Sequence, residues 1–312
     1  MPTIDHRLPL VFLMGATATG KTQRACDLAV EFPLDLVSVD STLVYRGMDI
    51  GTAKPDARVL ARHPHRLIDI REPEQAYSAA DFRADALREI ADIHARGRIP
   101  LLVGGTGLYF RALERGLSEM PRADPALRER LAEEVRVYGK LHMHRKLAMC
   151  DARTAARLDA NDVQRVLRAL EVFELSGVPI SEQQGGVRGR LPWRVLKLGL
   201  VAADRSNLRL RIAERFDQML AQGLENELRS LRARPGWSAD LPSMRAVGYR
   251  QGWDWLDGKV SATDFRMHAL HATSQLAKRQ MTWLRSEHDA WLFDCDAAAS
   301  PSRIHAALAA FL

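Results

Sequence analysis

The chain has 312 residues, 46% of them hydrophobic, which suits one large domain or two modest ones and excludes a disordered chain. Its net charge of +6 is a moderate excess that suits an acidic partner, and it is concentrated: residues 245–285 hold seven Lys/Arg against three Asp/Glu. Cys26, Cys150 and Cys295 are odd in number and far apart, which argues against a disulfide framework or a zinc site and for a reducing compartment. No apolar run approaches the roughly 18 residues of a membrane span.

Met1 to Pro9, with Asp5, His6 and Arg7, shows no signal-peptide core, so the expectation is a cytoplasmic protein with no membrane attachment. Leu10 to Met14 is a short apolar run that predicts a buried strand, followed by a Gly-rich turn and a helical pattern from Lys21 to Glu31. Leu34 to Asp40 predicts a second strand ending in an acid. Ser78, with Asp81 three residues on, predicts a capped helix start; Phe82, Ala86, Ile90 and Ile93 give that helix one apolar stripe, and Gly97 suits the position after its end. Ile99 to Val103 predicts a third buried strand, running straight into Gly104-Gly105-Thr106-Gly107. From Glu119 to about Arg190 helical patterns dominate, at Pro125 to Val137 and Val163 to Leu175, with Gly185, Gly186 and Gly189 marking a loose exit. Leu196, Leu198 and Leu200 alternate as a returning strand would, and a helix is expected from Ser206 to Gly223.

Strands alternating with helices predict an α/β fold: a P-loop NTPase-like core whose parallel sheet is flanked by helices, plus a helical insertion domain. The expected divisions are 1–118 for the first part of the core, 119–189 for the insertion and 190–312 for the second part with its C-terminal helices. Ligands of such sheets sit at the carboxyl ends of the strands, where Gly15 to Thr22, Asp40 to Thr42 and Gly104 to Thr106 all fall.

Gly15-Ala16-Thr17-Ala18-Thr19-Gly20-Lys21-Thr22 fits G-x-x-x-x-G-K-[ST] between a strand and a helix. Successive backbone N–H groups and a helix N-terminus point at an anion, Lys21 adds a charge, and the Thr22 hydroxyl can ligate Mg²⁺. The loop leaves the phosphate compound open: a nucleoside triphosphate is the ordinary reading, and an allylic diphosphate offers the same group. Asp40 reads either as a Walker-B-like aspartate near Mg²⁺ or as a general base. The turn holding Thr106 reads either as a plain tight turn or as part of a catalytic loop.

Longer stretches resemble one family, the tRNA dimethylallyltransferases. They run in order from Val39-Asp40-Ser41 through Tyr45-Arg46-Gly47-Met48-Asp49-Ile50-Gly51-Thr52-Ala53-Lys54-Pro55, Pro64 to Asp69, Tyr77 to Phe82 and Leu102 to Tyr109. Asn161-Asp162, Gln164-Arg165, Arg168 to Glu171, Val247 to Arg250 and Leu276 to Arg285 complete the set, which covers nearly the whole chain. Two departures stand in the phosphate loop, Ala16 and Thr19, where the family often has Pro and Ser; they bear on donor selectivity. The chain lacks the Cys/His zinc element of some eukaryotic relatives and resembles the bacterial form.

The resemblance implies that Gly15 to Thr22 hold the diphosphate of dimethylallyl diphosphate, with Arg215 beside it, and that the Mg²⁺ expected at Thr22 helps absorb the leaving charge. It implies that Asp40 takes a proton from the exocyclic amine of an adenosine 3′-adjacent to the anticodon and that Thr106 touches that amine. By residue pattern alone Arg215, a turn from Arg211, would belong to a solvated face. The resemblance further implies tRNA contacts at Asp40, Ser41, Thr42 and Leu43, at Thr106 and Arg128, and at Gln164, Arg165, Val166, Leu167 and Arg168. The same holds for Arg245, Ala246, Val247, Gly248, Tyr249 and Arg250, and for Lys278, Arg279, Gln280, Met281, Thr282, Trp283, Leu284 and Arg285. The partners expected are thus the tRNA anticodon stem-loop and the donor; no obligate protein partner is expected, and a monomer is the default. The rival readings are a P-loop small-molecule or nucleoside kinase, which would need ATP as phosphoryl donor, and a noncatalytic RNA-binding NTPase switch, which would couple nucleotide hydrolysis to RNA affinity without changing the RNA.

Overall fold

The structure is a computed structural model that describes residues 7–118, 120–121, 123–183 and 191–312. The N-terminal residues 1–6, Glu119, and the glycines Gly185, Gly186 and Gly189 lie outside the described residues. The elements in order are β1 (Pro9–Gly15), α1 (Lys21–Glu31), β2 (Leu34–Val39), α2 (Ala57–Arg62), β3 (His65–Arg66), α3 (Ala79–Ala95), β4 (Ile99–Gly104) and α4 (Gly107–Arg115). They continue with α5 (Pro125–Cys150), α6 (Ala152–Ala155), α7 (Val163–Ser176), α8 (Ile180–Gln183), β5 (Arg194–Val201), α9 (Arg205–Ala221) and α10 (Leu224–Arg232). A 3₁₀ turn (Pro242–Arg245), α11 (Tyr249–Leu256), α12 (Ala262–Arg285), β6 (Trp291–Asp294) and α13 (Ser300–Phe311) complete the chain.

The six strands form one parallel sheet in the order β3-β2-β4-β1-β5-β6. The alternation of side chains along a strand explains why both faces are covered. On β1, Leu10, Phe12 and Met14 enter one core with the α3 stripe of Phe82, Ala86, Ile90 and Ile93, while Val11 and Leu13 enter a second core with Ala25 and Leu28 of α1 and Ile304 and Leu308 of α13. All five β1 side chains are at most 1% exposed. Burying each large apolar side chain stabilises the fold by about 1.5–3 kcal/mol, and Phe12→Ala is the kind of change that would cost about 3–5 kcal/mol.

The helix signals are local and mostly hold. Ser78 and Asp81 form the full reciprocal capping box, Asp81 N–H to Ser78 Oγ at 3.2 Å and Ser78 N–H to Asp81 Oδ2 at 2.9 Å. The start of α9 differs from the sequence reading: Asp204, not Ser206, caps it, accepting the Ser206 N–H at 2.6 Å. A carboxylate takes that N–H more strongly than a hydroxyl two residues on could. The strands β3 and β6 were not anticipated, because two and four residues are too short for a period to register.

The described residues fall into two compact units, divided at 114/115 and 190/191. The smaller is helical. Its core gathers Leu131, Met143, Leu147, Val166 and Leu170, and its longest helix, α5, is broken at Gly139, where φ is 80°. No helix among the described residues is long and apolar enough to cross a membrane. All three cysteines are free.

Candidate active site

Three turns meet at the carboxyl edge of the sheet, after β1, β2 and β4, with α9 and α12 beside them. The turn after β1 is the Gly15–Thr22 loop. Gly20 takes φ 76° as it enters α1, a conformation natural to glycine, and Ala18 takes φ 61° against its side chain's preference. A Cβ on Gly15 would lie 2.8 Å from the Leu200 carbonyl oxygen and 2.9 Å from Thr19 Oγ1, so the close approach requires glycine there. The Ala16 carbonyl oxygen accepts from Thr19 Oγ1 at 2.8 Å and from Lys21 Nζ at 2.6 Å, which folds the loop over itself. Thr22, the next residue, is exposed.

The half-buried Arg215 of α9 reaches this loop and donates to Thr17 Oγ1 at 3.3 Å. The solvated-face reading of Arg215 is therefore overturned by packing: its neighbour a turn earlier, Arg211, is the one pinned elsewhere, to Asp296 and the Cys295 Sγ. Burial lowers the Lys21 ammonium from 10.5 to about 8 and lowers Arg215 as well; in both, the Asp40 charge acts in the opposite direction. Among the described residues neither cation has a carboxylate within ion-pair distance.

Asp40 follows β2 in a side-chain turn: its Oδ1 accepts from the Thr42 N–H at 2.8 Å, from Thr42 Oγ1 at 2.6 Å and from the Leu43 N–H at 3.4 Å. Thr106 brackets it, donating its N–H to the Val39 carbonyl at 3.3 Å and accepting the Ser41 N–H on its Oγ1 at 3.2 Å. The turn around Thr106 is more than a tight turn, since Gly107 already opens α4. The geometry thus brings together the loop, Arg215, Asp40 and Thr106. It gives them the chemistry of an anion nest, a carboxylate and a hydroxyl in one neighbourhood.

Gln280 of α12 was not expected here. Its Oε1 accepts the Thr17 N–H at 2.9 Å and its Nε2 donates to the Gly105 carbonyl at 3.1 Å. The remaining positions named on α12 divide by helix periodicity. Lys278, Arg279, Thr282 and Arg285 are exposed, and the three cations have no ion-pair partner among the described residues. Met281 and Leu284 are buried, and Trp283 stacks on Phe110. Likewise Arg245 and Arg250 are exposed and line an open cavity of about 350 Å³ with Trp253, whereas Ala246, Gly248 and Tyr249 are buried and Val247 is half-buried. In the helical unit Gln164 and Arg165 are exposed, Val166 is 1% exposed in the core and Leu167 packs against it. Arg128 and Arg168 both pair with the buried Glu171, at 2.8 and 2.6 Å. Contiguous stretches therefore overstate the exposed surface: Val166, Tyr249, Met281 and Leu284 keep their side chains in cores because every third or fourth position on a packed helix faces inward, and Ala246, in the link before α11, is buried as well.

Residues 43–287 match the IPP transferase family. The chain is 58% identical over 286 residues to the tRNA dimethylallyltransferase of Alkalilimnicola ehrlichii, covering 91% of this chain and 90% of that one. It is 54% identical over 304 residues to the tRNA dimethylallyltransferase of Thiobacillus denitrificans, covering 97% of each. Among solved structures, the tRNA isopentenylpyrophosphate transferase of Bacillus halodurans superposes with a TM-score of 0.71 at 38% identity over 97% of this chain and 96% of the other. On this match of sequence and fold, the chain belongs to the IPP transferase family.

Proposed function

We propose that this chain transfers the dimethylallyl group of dimethylallyl diphosphate to the exocyclic amine of the adenosine 3′-adjacent to the anticodon in tRNA, forming N6-isopentenyladenosine. The observation that carries this reading is the pair of cations, Lys21 and Arg215, that lack a carboxylate partner among the described residues yet stand beside Asp40 and Thr106. Partly buried cations are normally paired, so an anionic ligand completes this pair. The core is then P-loop NTPase-like, with the loop holding a diphosphate as leaving group in place of a triphosphate. The names of the relatives support the same substrates.

The amine nitrogen attacks the allylic carbon as the carbon–oxygen bond breaks and diphosphate departs with the electron pair. The amine proton passes to the Asp40 carboxylate, whose Oδ1 is held by Thr42. Lys21, Arg215 and the loop N–H groups take up the charge that grows on the departing oxygens. Thr106, fixed by its bonds to both neighbours of Asp40, orients the amine. The residues fit Mg²⁺: the exposed Thr22 would hold it through its hydroxyl oxygen beside the nest. When bound there, Mg²⁺ would supply further neutralisation of the diphosphate.

The target base has to leave the stacked loop to reach this edge, and splayed loop bases are what proteins read on RNA. The exposed Arg245, Arg250, Lys278, Arg279 and Arg285 supply phosphate contacts in the larger unit. Residues 119–189 act as the insertion that also meets tRNA, through the exposed Gln164 and Arg165. The test is mass analysis of tRNA nucleosides after incubation with dimethylallyl diphosphate and Mg²⁺, with an ATP arm alongside. Prenylated adenosine is expected; consumption of ATP with unaltered RNA would instead select the kinase or switch reading.

A further inference from the structure

We infer that Gln280 is a positioning residue that holds the donor loop and the Thr106 turn in register, rather than a contact to tRNA. The inference rests on the proposed transferase reading. Its amide is spent internally: Oε1 accepts the Thr17 N–H of the phosphate loop at 2.9 Å, and Nε2 donates to the Gly105 carbonyl at 3.1 Å. Thr17 is 263 residues away in sequence and Gly105 is 175, so one side chain joins two turns from separate strands. Thr17 is also the residue Arg215 reaches, and Gly105 precedes Thr106. Gln280 therefore spans from the leaving-group side of the reaction to the amine side.

The fit around it is close. A Cβ on Gly105 would fall within van der Waals overlap of Gln280 Nε2 and 2.9 Å from the Gly15 carbonyl oxygen, so the turn accommodates the amide only because residue 105 is glycine. Three residues on, Trp283 lies against Gly107 and stacks on Phe110, which seats the same face of α12 on the same turn. The opposite face carries the exposed Lys278, Arg279, Thr282 and Arg285. α12 is thus two-sided: the outer side is available to RNA, and the inner side fixes the distance between nucleophile and leaving group. A misplacement on the order of 1 Å between reacting groups lowers the rate by on the order of 10²-fold.

The experiment compares wild type, Gln280→Met, Gly105→Ala and the double variant in steady-state transfer, with anticodon stem-loop RNA binding measured directly. Gln280→Met keeps the length of the side chain and removes both bonds; Gly105→Ala displaces the same amide from the other side. Each is expected to lower kcat by roughly 10- to 100-fold with the RNA Kd within about twofold of wild type. The double variant should be no slower than the worse single, because both break one bridge. A weakened RNA Kd with kcat unchanged, additive losses in the double variant, or wild-type kcat in Gln280→Met would each overturn the inference. Should Gln280→Met not fold, Gln280→Glu, which keeps the acceptor for Thr17 and loses the donor to Gly105, must show the same kcat loss. A wild type that transfers no dimethylallyl group would instead refute the transferase reading and leave the bridge itself untouched.

Discussion

Two lysines, Lys21 at the first position of α1 and Lys197 on β5, meet opposite electrostatic fates. Lys197 on β5 is 4% exposed and surrounded by acids: Glu114 at 2.5 Å, Asp289 at 2.9 Å and Glu287 at 3.6 Å. Burial alone would lower its pKa, and the hydrogen bonds it donates to Glu114 and Asp289 overcome that and hold it above its ordinary value. Lys54 is also paired by two acids, Asp49 at 2.6 Å and Asp69 at 2.5 Å. Among the described residues Lys21 has only the neutral Ala16 carbonyl as a partner, and burial lowers its pKa to about 8. Under the proposed function, the difference separates a cation that stabilises the fold from a cation whose counter-charge arrives with the substrate.

That contrast can be broken most severely at the carboxylate beside the nest. Asp40→Asn keeps the size of the side chain and removes the base, and turnover is expected to fall by on the order of 10²–10⁴ while donor binding survives. Normal turnover in this variant would remove Asp40 from the chemistry. The same substitution at the two lysines sharpens the comparison next. Lys197→Met strips the cation from a buried acidic cluster and should destabilise the protein by about 3–5 kcal/mol in denaturant unfolding. Lys21→Met removes a cation already disfavoured by burial, so the unliganded protein should unfold no more easily while pyrophosphate binding is lost. Equal losses of stability at the two sites would show that the distinction is not real.

A smaller effect follows from pH. Between about 8 and the ordinary 10.5 the free protein has released the Lys21 proton that the unfolded chain still holds, so in this window the stability contribution of Lys21 rises with pH. An anion bound at the nest favours the charged ammonium. Once corrected for the ligand's own ionisation, pyrophosphate affinity should therefore be flat below about pH 8 and fall above it, with proton uptake by the protein on binding visible by calorimetry in buffers of different ionisation enthalpy. An affinity that stays level to pH 10 would contradict the unpaired state of Lys21. The smallest effect belongs to the outer cations: Lys278→Ala or Arg279→Ala should weaken tRNA binding modestly and lower the slope of log affinity against log salt by about one each, with donor binding unchanged.

Much of this was already present in short-range pattern. The continuous apolar run Leu10 to Met14 and the stripe Phe82, Ala86, Ile90 and Ile93 dictate a buried strand and a helix, since each is written in neighbouring residues. The Gly-x-x-x-x-Gly-Lys-Thr loop predicts an anion site for the same local reason, and the parallel order sends Asp40 and Thr106 to its edge. What tertiary structure alone decided is which polar groups find partners. Arg211 and Arg215 sit one turn apart on α9, yet one is neutralised by Asp296 and the other is delivered unpaired to Thr17. Gln280 stands in a basic stretch that reads as RNA-facing, and packing turns its amide inward to Thr17 and Gly105. Pairing of charges and amides depends on distances between segments hundreds of residues apart, and no period along the chain encodes those distances.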